Sequence, residues 1–166
     1  MIPEKRLRQL AGLGVQLAAL VGDRGALFLR AVQEARVMSG AAYSSLGLVE
    51  GEVIHWRSAD GKPIEEVRGR RQAVSEGLCG WVVRHGRSRR TGNVTGEADY
   101  YEQYPEMQSE LDAPIKVGEK VIGVLSMESP LLRAFTVEHE HALEVIAQFV
   151  ALALAAGRQS EEVHDG

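Results

Sequence analysis

The first candidate for chemistry in this sequence is its single cysteine, Cys79, in the segment 76–86, which reads EGLCGWVVRHG. Small residues flank this cysteine at the start of a predicted short helix, where aligned peptide dipoles favour an ionised thiol. The nearest candidate base, His85, follows six positions later, a rise of about 9 Å along a helix that is too long for direct proton transfer. We therefore predict no catalytic residue and expect Cys79 to be a buried side chain in the wall of a ligand pocket.

Two histidines, His139 and His141, stand on either side of Glu140 near the start of the last predicted helix. Residues two apart on a helix point in nearly opposite directions, so these imidazoles cannot bind one ion together. The sequence also lacks the His-Glu-x-x-His and Cys-x-x-Cys patterns of common zinc sites. We therefore predict no metal site.

Aromatic side chains supply the other candidates for a binding site. They concentrate in the polar segment 94–108, VTGEADYYEQYPEMQ, and they could line a pocket or serve only as packing. The aromatic and apolar candidates are Trp56, Trp81, Tyr100, Tyr101, Tyr104 and Met107. The backbone N–H groups that open the Cys79 helix favour an anionic or carbonyl group of a ligand.

Length, composition and charge limit the class of protein that contains this pocket. The chain has 166 residues, enough for one domain with a real core. One cysteine excludes an intramolecular disulfide and suits a reducing cytoplasm, and a net charge of −4 does not favour nucleic-acid binding. Seven arginines and only one acid lie between Arg68 and Arg90. This basic band could face an anionic ligand or partner, and the alternative is a solvated strand face.

Hydrophobic periodicity predicts the elements that position these residues. We expect a first helix over 4–21 and a second from the N-cap Asp23 to Gly40. Antiparallel strands follow, with turns at Glu50-Gly51 and Asp60-Gly61. We expect the Cys79 helix at 77–86, a short strand at 88–93, a loop with one short helix at 94–108, and a hairpin at 109–129. Pro114 indicates an edge position or a bulge in the first strand of that hairpin.

The last predicted helix begins after the N-cap Thr136 and is apolar on nearly every side from Val145 to Ala156. A helix on a sheet needs only one apolar stripe, so a second surface must cover it. The first helix is the candidate, in the same chain or in a partner. Its own apolar run mimics a leader peptide, but the spacing of its leucines suits one helix face. No stretch approaches the roughly 20 apolar residues of a membrane span.

Three segments in this order resemble the GAF domain family: EGLCGWVVRHGRSRRTGN, SELDAPIKVGEKVIGVLSMES and AFTVEHEHALEVIAQFVALAL. The resemblance extends from about residue 25 to 155. It implies an α+β fold with a central antiparallel sheet of about six strands. The terminal helices would pack on one face, and short helices and loops would form a pocket on the other. We divide the chain into an N-terminal packing or dimerisation helix (1–22), a GAF-like domain (23–157) and a polar tail (158–166).

Branches of this family differ in chemistry. The cyclic-nucleotide signature is absent, and Cys79 lacks the following histidine of bilin-binding members. Gly77-Leu78-Cys79-Gly80 resembles a segment of the free methionine-(R)-sulfoxide reductases. Those enzymes place a catalytic cysteine, followed by an acid, six residues before a Ser-Glu pair. Here Gln103 and Tyr104 stand at those positions, so the attacking thiol of that reaction is missing.

The resemblance implies a cytoplasmic, bacterial, small-molecule-binding sensor domain in signal transduction. We expect a small-molecule ligand of unknown identity, a homodimer through the terminal helices and a downstream signalling partner, with neither nucleic acid nor membrane as partner. One alternative is a thiol redox enzyme or sensor that uses Cys79, and another is a ligand-free dimerisation module. The predicted ligand-binding residues are Trp56, Cys79, Gly80, Trp81, Tyr100, Tyr101, Tyr104, Met107, Ser109 and Glu110.

Overall fold

The computed structural model describes residues 1–62 and 64–164. Its strands are β1 Tyr43–Glu50, β2 Val53–Asp60, β3 Arg71–Ala73, β4 Arg89–Thr91, β5 Ser109–Val117 and β6 Lys120–Ser129. Its helices are α1 Glu4–Ala18, α2 Arg24–Ser39, α3 Gly77–His85 and α4 Val137–His164, with a 3-10 turn at Ile64–Glu66. The strands form one antiparallel six-stranded sheet in the order β3-β2-β1-β6-β5-β4. This arrangement confirms the predicted α+β class and the number of strands.

The helix ends follow the residues that the sequence marks. The Asp23 carboxylate accepts a hydrogen bond from the backbone N–H of Ala26 at 3.0 Å, and α2 ends at Gly40, whose φ of 70° suits a residue without a Cβ. Thr136 Oγ1 accepts from the N–H of His139 at 3.2 Å, and His139 Nδ1 accepts from the N–H of Thr136 at 3.2 Å. These reciprocal bonds satisfy two donors at the start of α4.

The sheet has a hydrophobic cluster on each face. On one face α1, α2 and α4 enclose the larger cluster, whose fully buried members include Leu13, Leu27, Leu111, Met127 and Ile146. On the other face α3 covers a smaller cluster that contains Ile54, Trp56, Cys79, Val82 and Val124. The terminal helices therefore share one face, as predicted, and the candidate pocket residues Trp56, Cys79 and Trp81 belong to the cluster on the other.

Strand β5 contributes to both faces because its side chains alternate. Leu111, Ala113 and Ile115 are fully buried in the cluster under the helices. Glu110 and Asp112 alternate with them along the strand; they are also buried and point to the face covered by α3. One strand thus forms the support for α4 and part of the floor beneath α3.

Pro114 lies where β5 can accommodate a residue without an N–H donor. Strand β4 pairs only with Glu110, Leu111 and Asp112, so the β4 side of Pro114 has no strand partner. The pairing of β5 with β6 also shifts register between Ile115 and Lys116. The proline therefore stands at a local edge and beside a bulge, which agrees with the prediction.

Helix α4 is strongly apolar, and one side of it belongs to the hydrophobic cluster beneath the helices. Its stretch Val137–Gln159 is 23 residues long with a mean hydropathy of 1.3, enough by length and composition to cross a membrane, which corrects our expectation that no stretch approaches such a span. In this fold 44% of its most apolar window is buried. Helix α1 of the same chain covers part of it, with the Phe149 ring resting against Gly14. Leu152 remains 57% exposed.

Two local expectations are corrected by the structure. The first helix ends at Ala18 rather than at residue 21. The segment 94–108 forms turns without the predicted short helix, because its ends are tied to neighbours. The N–H of Val94 donates to the carbonyl of Gln108 at 2.9 Å, and the N–H of Gln108 donates to the carbonyl of Ser129 at 2.8 Å. The predicted tail continues α4 to His164, and its residues 165–166 lie outside the described residues.

Candidate functional site

A cleft that is partly open to solvent lies between the sheet, the start of α3 and two connecting segments. The sheet contributes Ser45, Trp56, Gln72, Glu110, Ser126 and Glu128. Helix α3 contributes Gly77, Leu78 and Cys79. The connecting segments contribute Lys62, Val67, Arg70, Tyr101 and Gln103. The lining is rich in charged and amide side chains, so the cleft suits a polar ligand rather than an apolar one.

Four of the predicted ligand-binding residues line this cleft: Trp56, Cys79, Tyr101 and Glu110. Tyr104 stands at its edge, where its hydroxyl accepts a hydrogen bond from Arg70 at 3.2 Å and its ring lies 5.2 Å from that of Tyr43.

Two other predicted residues, Gly80 and Trp81, lie on α3 outside the cleft lining. A Cβ on Gly80 would overlap the backbone carbonyl of Val74, so this glycine permits close packing of α3. The Trp81 ring stacks on the His85 ring with centroids 4.1 Å apart. The guanidinium of Arg89 lies 4.9 Å from the Trp81 centroid.

The remaining predicted residues, Tyr100, Met107 and Ser109, also lie outside the lining. The hydroxyl of Ser109 donates to the carbonyl of Leu131 at 2.6 Å, and Met107 is buried. Burial, with the nearby Glu110 carboxylate, raises the pKa of Tyr100 to about 12. A ligand-binding role for these three residues stays a prediction.

A buried group of one thiol and two carboxylic acids forms the deepest part of the site. Cys79 Sγ lies 3.3 Å from Asp112 Oδ1 and 3.8 Å from Glu110 Oε1. Burial and the two acids raise the pKa of the Cys79 thiol well above its usual range. Burial and the Asp112 charge likewise raise the pKa of Glu110. The thiol is therefore protonated at neutral pH and, without another partner, is a poor nucleophile.

A buried ion pair closes one end of the cleft. Lys62 Nζ donates to Glu128 Oε2 at 3.1 Å, and their side chains are only 4% and 11% exposed. The ammonium also lies 4.8 Å from the ring centroid of Tyr43 and 4.0 Å from that of Tyr104. A cation between two ring faces is stabilised by their quadrupoles, so the lysine is held in place.

Arg70 is the unpaired cation of the cleft. Its guanidinium donates to the Tyr104 hydroxyl, and the amide oxygen of Gln103, in the orientation that satisfies its hydrogen bonds, accepts from it as well. Within the described residues no carboxylate forms an ion pair with Arg70, although other arginines of the basic band are paired: Arg89 with Glu97 at 2.7 Å, for example. A planar guanidinium without an acid partner is suited to bind an anionic group.

The segment 94–108 is attached to α3 through Arg89, with a longer ion pair from Arg84 of α3 to Asp99 at 4.0 Å. Arg89 donates to Asp99 Oδ2 at 2.9 Å and to Glu97 Oε2 at 2.7 Å, and its guanidinium lies over the Trp81 ring. Since its side chain is only 19% exposed, these contacts are partly shielded from solvent. Part of the basic band is therefore used in internal ion pairs rather than as a solvated face.

The predicted ligand-binding residues omit most of the polar side chains of the site: Lys62, Arg70, Gln103 and Glu128 in the cleft lining, and Asp112 in contact with Cys79. A signal existed for the acids. Glu110 and Asp112 are two apart on a predicted strand and so share a face. Glu128 comes directly opposite Glu110 in the β5–β6 pair, and like charges in that arrangement repel unless a site stabilises them. The sequence marks Arg70 only as part of the basic band and Gln103 only as the position of an absent cysteine. No local pattern marks Lys62, because its connecting segment is placed by long-range contacts such as the pair with Glu128.

A family model described as GAF domain matches residues 23–155. No curated protein sequence matches the chain. Among solved structures, the free methionine-R-sulfoxide reductase from Neisseria meningitidis in complex with its substrate superposes with a TM-score of 0.78 at 19% identity, over 96% of each chain. The GAF domain of an Acinetobacter phosphoenolpyruvate-protein phosphotransferase superposes with a TM-score of 0.80 at 17% identity, over 95% of this chain and 97% of that one.

A third similar structure is a putative GAF sensor protein from Burkholderia vietnamiensis, with a TM-score of 0.72 at 18% identity over 93% of this chain and 98% of that one. At these identities the likeness shows a common fold. It does not distinguish a sensor from a reductase, because both kinds of protein are among the similar structures.

Proposed function

The chain belongs to the GAF domain family, and from this premise we propose that it is a small-molecule-binding sensory or regulatory domain of a bacterial signalling system in the cytoplasm. Its ligand occupies the cleft between α3, the sheet and the connecting segments. The observation that carries the proposal is Arg70, a cation in the cleft lining that has no carboxylate partner among the described residues. The ligand therefore carries an anionic group, such as a carboxylate, at this end.

The sulfoxide reductase alternative is disfavoured by the chemistry of the thiol. That reaction needs a thiolate to attack sulfur and a second thiol to resolve the intermediate. This chain has one cysteine, and burial beside two acids keeps its thiol protonated. Gln103, at the position of the expected catalytic cysteine, lines the cleft and contacts Arg70 instead. The Neisseria reductase structure holds its substrate, which supports small-molecule binding by this fold but not turnover by this chain.

In this proposal, ligand binding changes how the terminal helices pack, and strand β5 transmits the change. A ligand shifts an equilibrium only between states for which its affinity differs. The cleft contains Glu110 of β5, and the opposite side of that strand supports α4. The chain forms a homodimer through its terminal helices, with Leu152 of α4 among the exposed apolar residues available for contact, and passes the change to a signalling partner.

Native mass spectrometry of freshly purified protein, followed by ligand screening, tests the binding function. We expect a co-purified small molecule, or a rise in melting temperature with small carboxylates or phosphates. Arg70→Gln removes this binding, whereas the control Arg57→Gln retains it, because Arg57 forms an exposed pair with Glu50 outside the cleft.

Three results would overturn the proposal. Binding by Arg70→Gln that equals binding by the wild type contradicts the role of Arg70. The absence of a bound mass and of any ligand-induced melting shift favours the ligand-free dimerisation module. Turnover of free methionine sulfoxide that is lost in Cys79→Ser would instead establish the redox enzyme.

A further inference from the structure

We propose that Cys79, Glu110 and Asp112 form a binding site for one divalent transition-metal ion of the zinc type at the floor of the cleft. The Cys79 sulfur, one Glu110 carboxylate oxygen and one Asp112 carboxylate oxygen all lie within 4.8 Å of one another. All three residues are buried. The proposal goes beyond small-molecule sensing and does not depend on it, because metal binding is measured without any organic ligand.

The backbone places the three donors on rigid elements. Glu110 and Asp112 are two residues apart on β5, so both side chains leave the same face of a strand that is paired on both sides at these positions. Cys79 is the third residue of α3 and faces that strand. Sites built on strands and helices hold ligand atoms more precisely than loops do.

The two sulfur–oxygen separations in the cluster are close to those of a tetrahedral zinc site. Zinc–sulfur and zinc–oxygen bonds of about 2.3 and 2.0 Å at a tetrahedral angle imply a sulfur–oxygen separation of about 3.5 Å. The two separations found here, 3.3 Å to Asp112 and 3.8 Å to Glu110, lie on either side of that value. Each of these two sulfur–oxygen separations is within a few tenths of an ångström of the tetrahedral value, and the two carboxylate oxygens lie within 4.8 Å of one another.

A second observation, independent of these separations, points to a missing partner. Asp112 is fully buried, and its Oδ2 atom has no hydrogen-bond partner. A buried carboxylate oxygen without a donor is destabilising, because it has lost its hydration and gained no partner in exchange. A metal ion bound by this carboxylate would supply the positive charge that the atom lacks.

The charge around the cluster also calls for a cation. Within the described part of the chain, no lysine, arginine or histidine forms an ion pair with Glu110 or Asp112, and the nearby Lys62 is paired with Glu128. Protons or a metal ion must therefore neutralise the acids. A thiolate with carboxylates is a donor set that Zn²⁺ accepts, whereas Mg²⁺ and Ca²⁺ prefer oxygen ligands alone.

Three protein ligands leave one position for water or a ligand group. Cys79 and Glu110 belong to the cleft lining, so this fourth position faces the space in which the sensed molecule would bind. When the metal binds, the thiol loses its proton to solvent, and the sulfur becomes a ligand as the thiolate.

Cobalt titration of the full chain, after treatment with a chelator, tests the proposal. We expect one equivalent of Co²⁺ to bind and to produce a sulfur-to-cobalt charge-transfer absorption in the near ultraviolet. Because the protein has one cysteine, that absorption identifies Cys79 without any substitution. One equivalent of Zn²⁺ should abolish the absorption and raise the melting temperature, and chelator should reverse the rise.

Variants test the ligand set. Cys79→Ser should lose the charge-transfer band, and Asp112→Asn should weaken Co²⁺ binding by about tenfold or more. The control His141→Gln should bind as the wild type does, because His141 is exposed and remote in sequence from the cluster. A folded wild type that gives no charge-transfer band overturns the proposal even if a variant fails to fold. Unchanged binding by a folded Asp112→Asn overturns the assigned ligands.

Discussion

Cys79 of α3 and Asp112 of β5 meet in the interior with 3.3 Å between sulfur and oxygen. The contact joins the short helix to the sheet and turns the only thiol of the protein inward. The side chain that looked most reactive in the sequence is therefore sequestered, and what it can do depends on its two acidic neighbours.

The thiol of the native, metal-free protein should react slowly with a disulfide reagent at pH 7. Cys79 is 5% exposed, and buried thiols react far more slowly than free ones. We expect a rate at least about tenfold below that of the same protein in denaturant, followed by absorbance. Equal rates in the two states would place the thiol at the surface and contradict the buried arrangement.

Replacing Gly80 by alanine should destabilise the protein by about 1–3 kcal/mol, because the added methyl group forces α3 away from the carbonyl of Val74. The matched control is Gly12→Ala on α1, where nothing lies within 4 Å of a Cβ, so that change should be neutral or stabilise by up to about 1 kcal/mol. Chemical denaturation measures both. Similar effects at the two positions would argue against the close approach at Gly80.

Replacing Arg89 by alanine should loosen the segment 94–108. The change removes bonds to Asp99 and Glu97 and the contact with Trp81. Hydrogen–deuterium exchange should become faster in that segment and remain unchanged in α4. The control Arg90→Ala removes only the exposed pair with Glu140 and should leave the segment as it is. Unaltered exchange in Arg89→Ala would show that other contacts hold the segment.

His139 should make stability depend on pH. Burial, together with Arg6, lowers the pKa of His139 in the fold, so the unfolded chain binds the proton more readily. The free energy of unfolding should therefore fall as the pH drops through about 6.5, the ordinary value for histidine, and below. Protonation also removes the Nδ1 acceptor of the Thr136 N–H.

His139→Gln provides the comparison, because glutamine at this helix position can still accept from the cap residue. Denaturation between pH 7.5 and 5.5 should show a smaller loss of stability in the variant than in the wild type. Identical losses would assign the pH dependence to other groups.

Light scattering should show a homodimer at micromolar concentration. Leu152 of α4 is 57% exposed, and Leu152→Glu should shift the protein to monomer because a charge in an apolar contact is unfavourable. Leu131→Glu alters a residue of comparable exposure, 67%, outside the terminal helices, and should leave the dimer intact. A monomeric wild type would mean that α1 of the same chain covers the apolar surface of α4 and that a second copy does not.

The sequence was sufficient for the fold because the relevant signals are local and ordered. Asp23, Gly40 and Thr136 mark helix ends, and the turn at Gly118 sets the hairpin, where φ is 59°. The GAF resemblance is confirmed by the family match. The segment 94–108 was wrongly expected to contain a helix because its conformation depends on a backbone bond to β6 and on ion pairs with Arg89, which the residue pattern within the segment does not reveal.

The site was predictable only in part, because contacts between different segments of the chain place several of its residues. Cys79, Trp56, Tyr101 and Glu110 were placed in a pocket from residue type and family pattern, and they line the cleft. The partners that decide its chemistry, Asp112 above all, were missed because a carboxylate on a strand looks solvated until the elements on both sides of it are known.

Strand β5 has a consequence for how fast such a domain could respond. Glu110 points into the cleft, and the next residue, Leu111, lies in the cluster that supports α4. Only the backbone of β5 separates the side chains that face the cleft from the side chains that pack against α4. A displacement of this strand moves both sides together, so under the proposed function the arrival and departure of the ligand, rather than a relay of side chains, would set the time course of the signal.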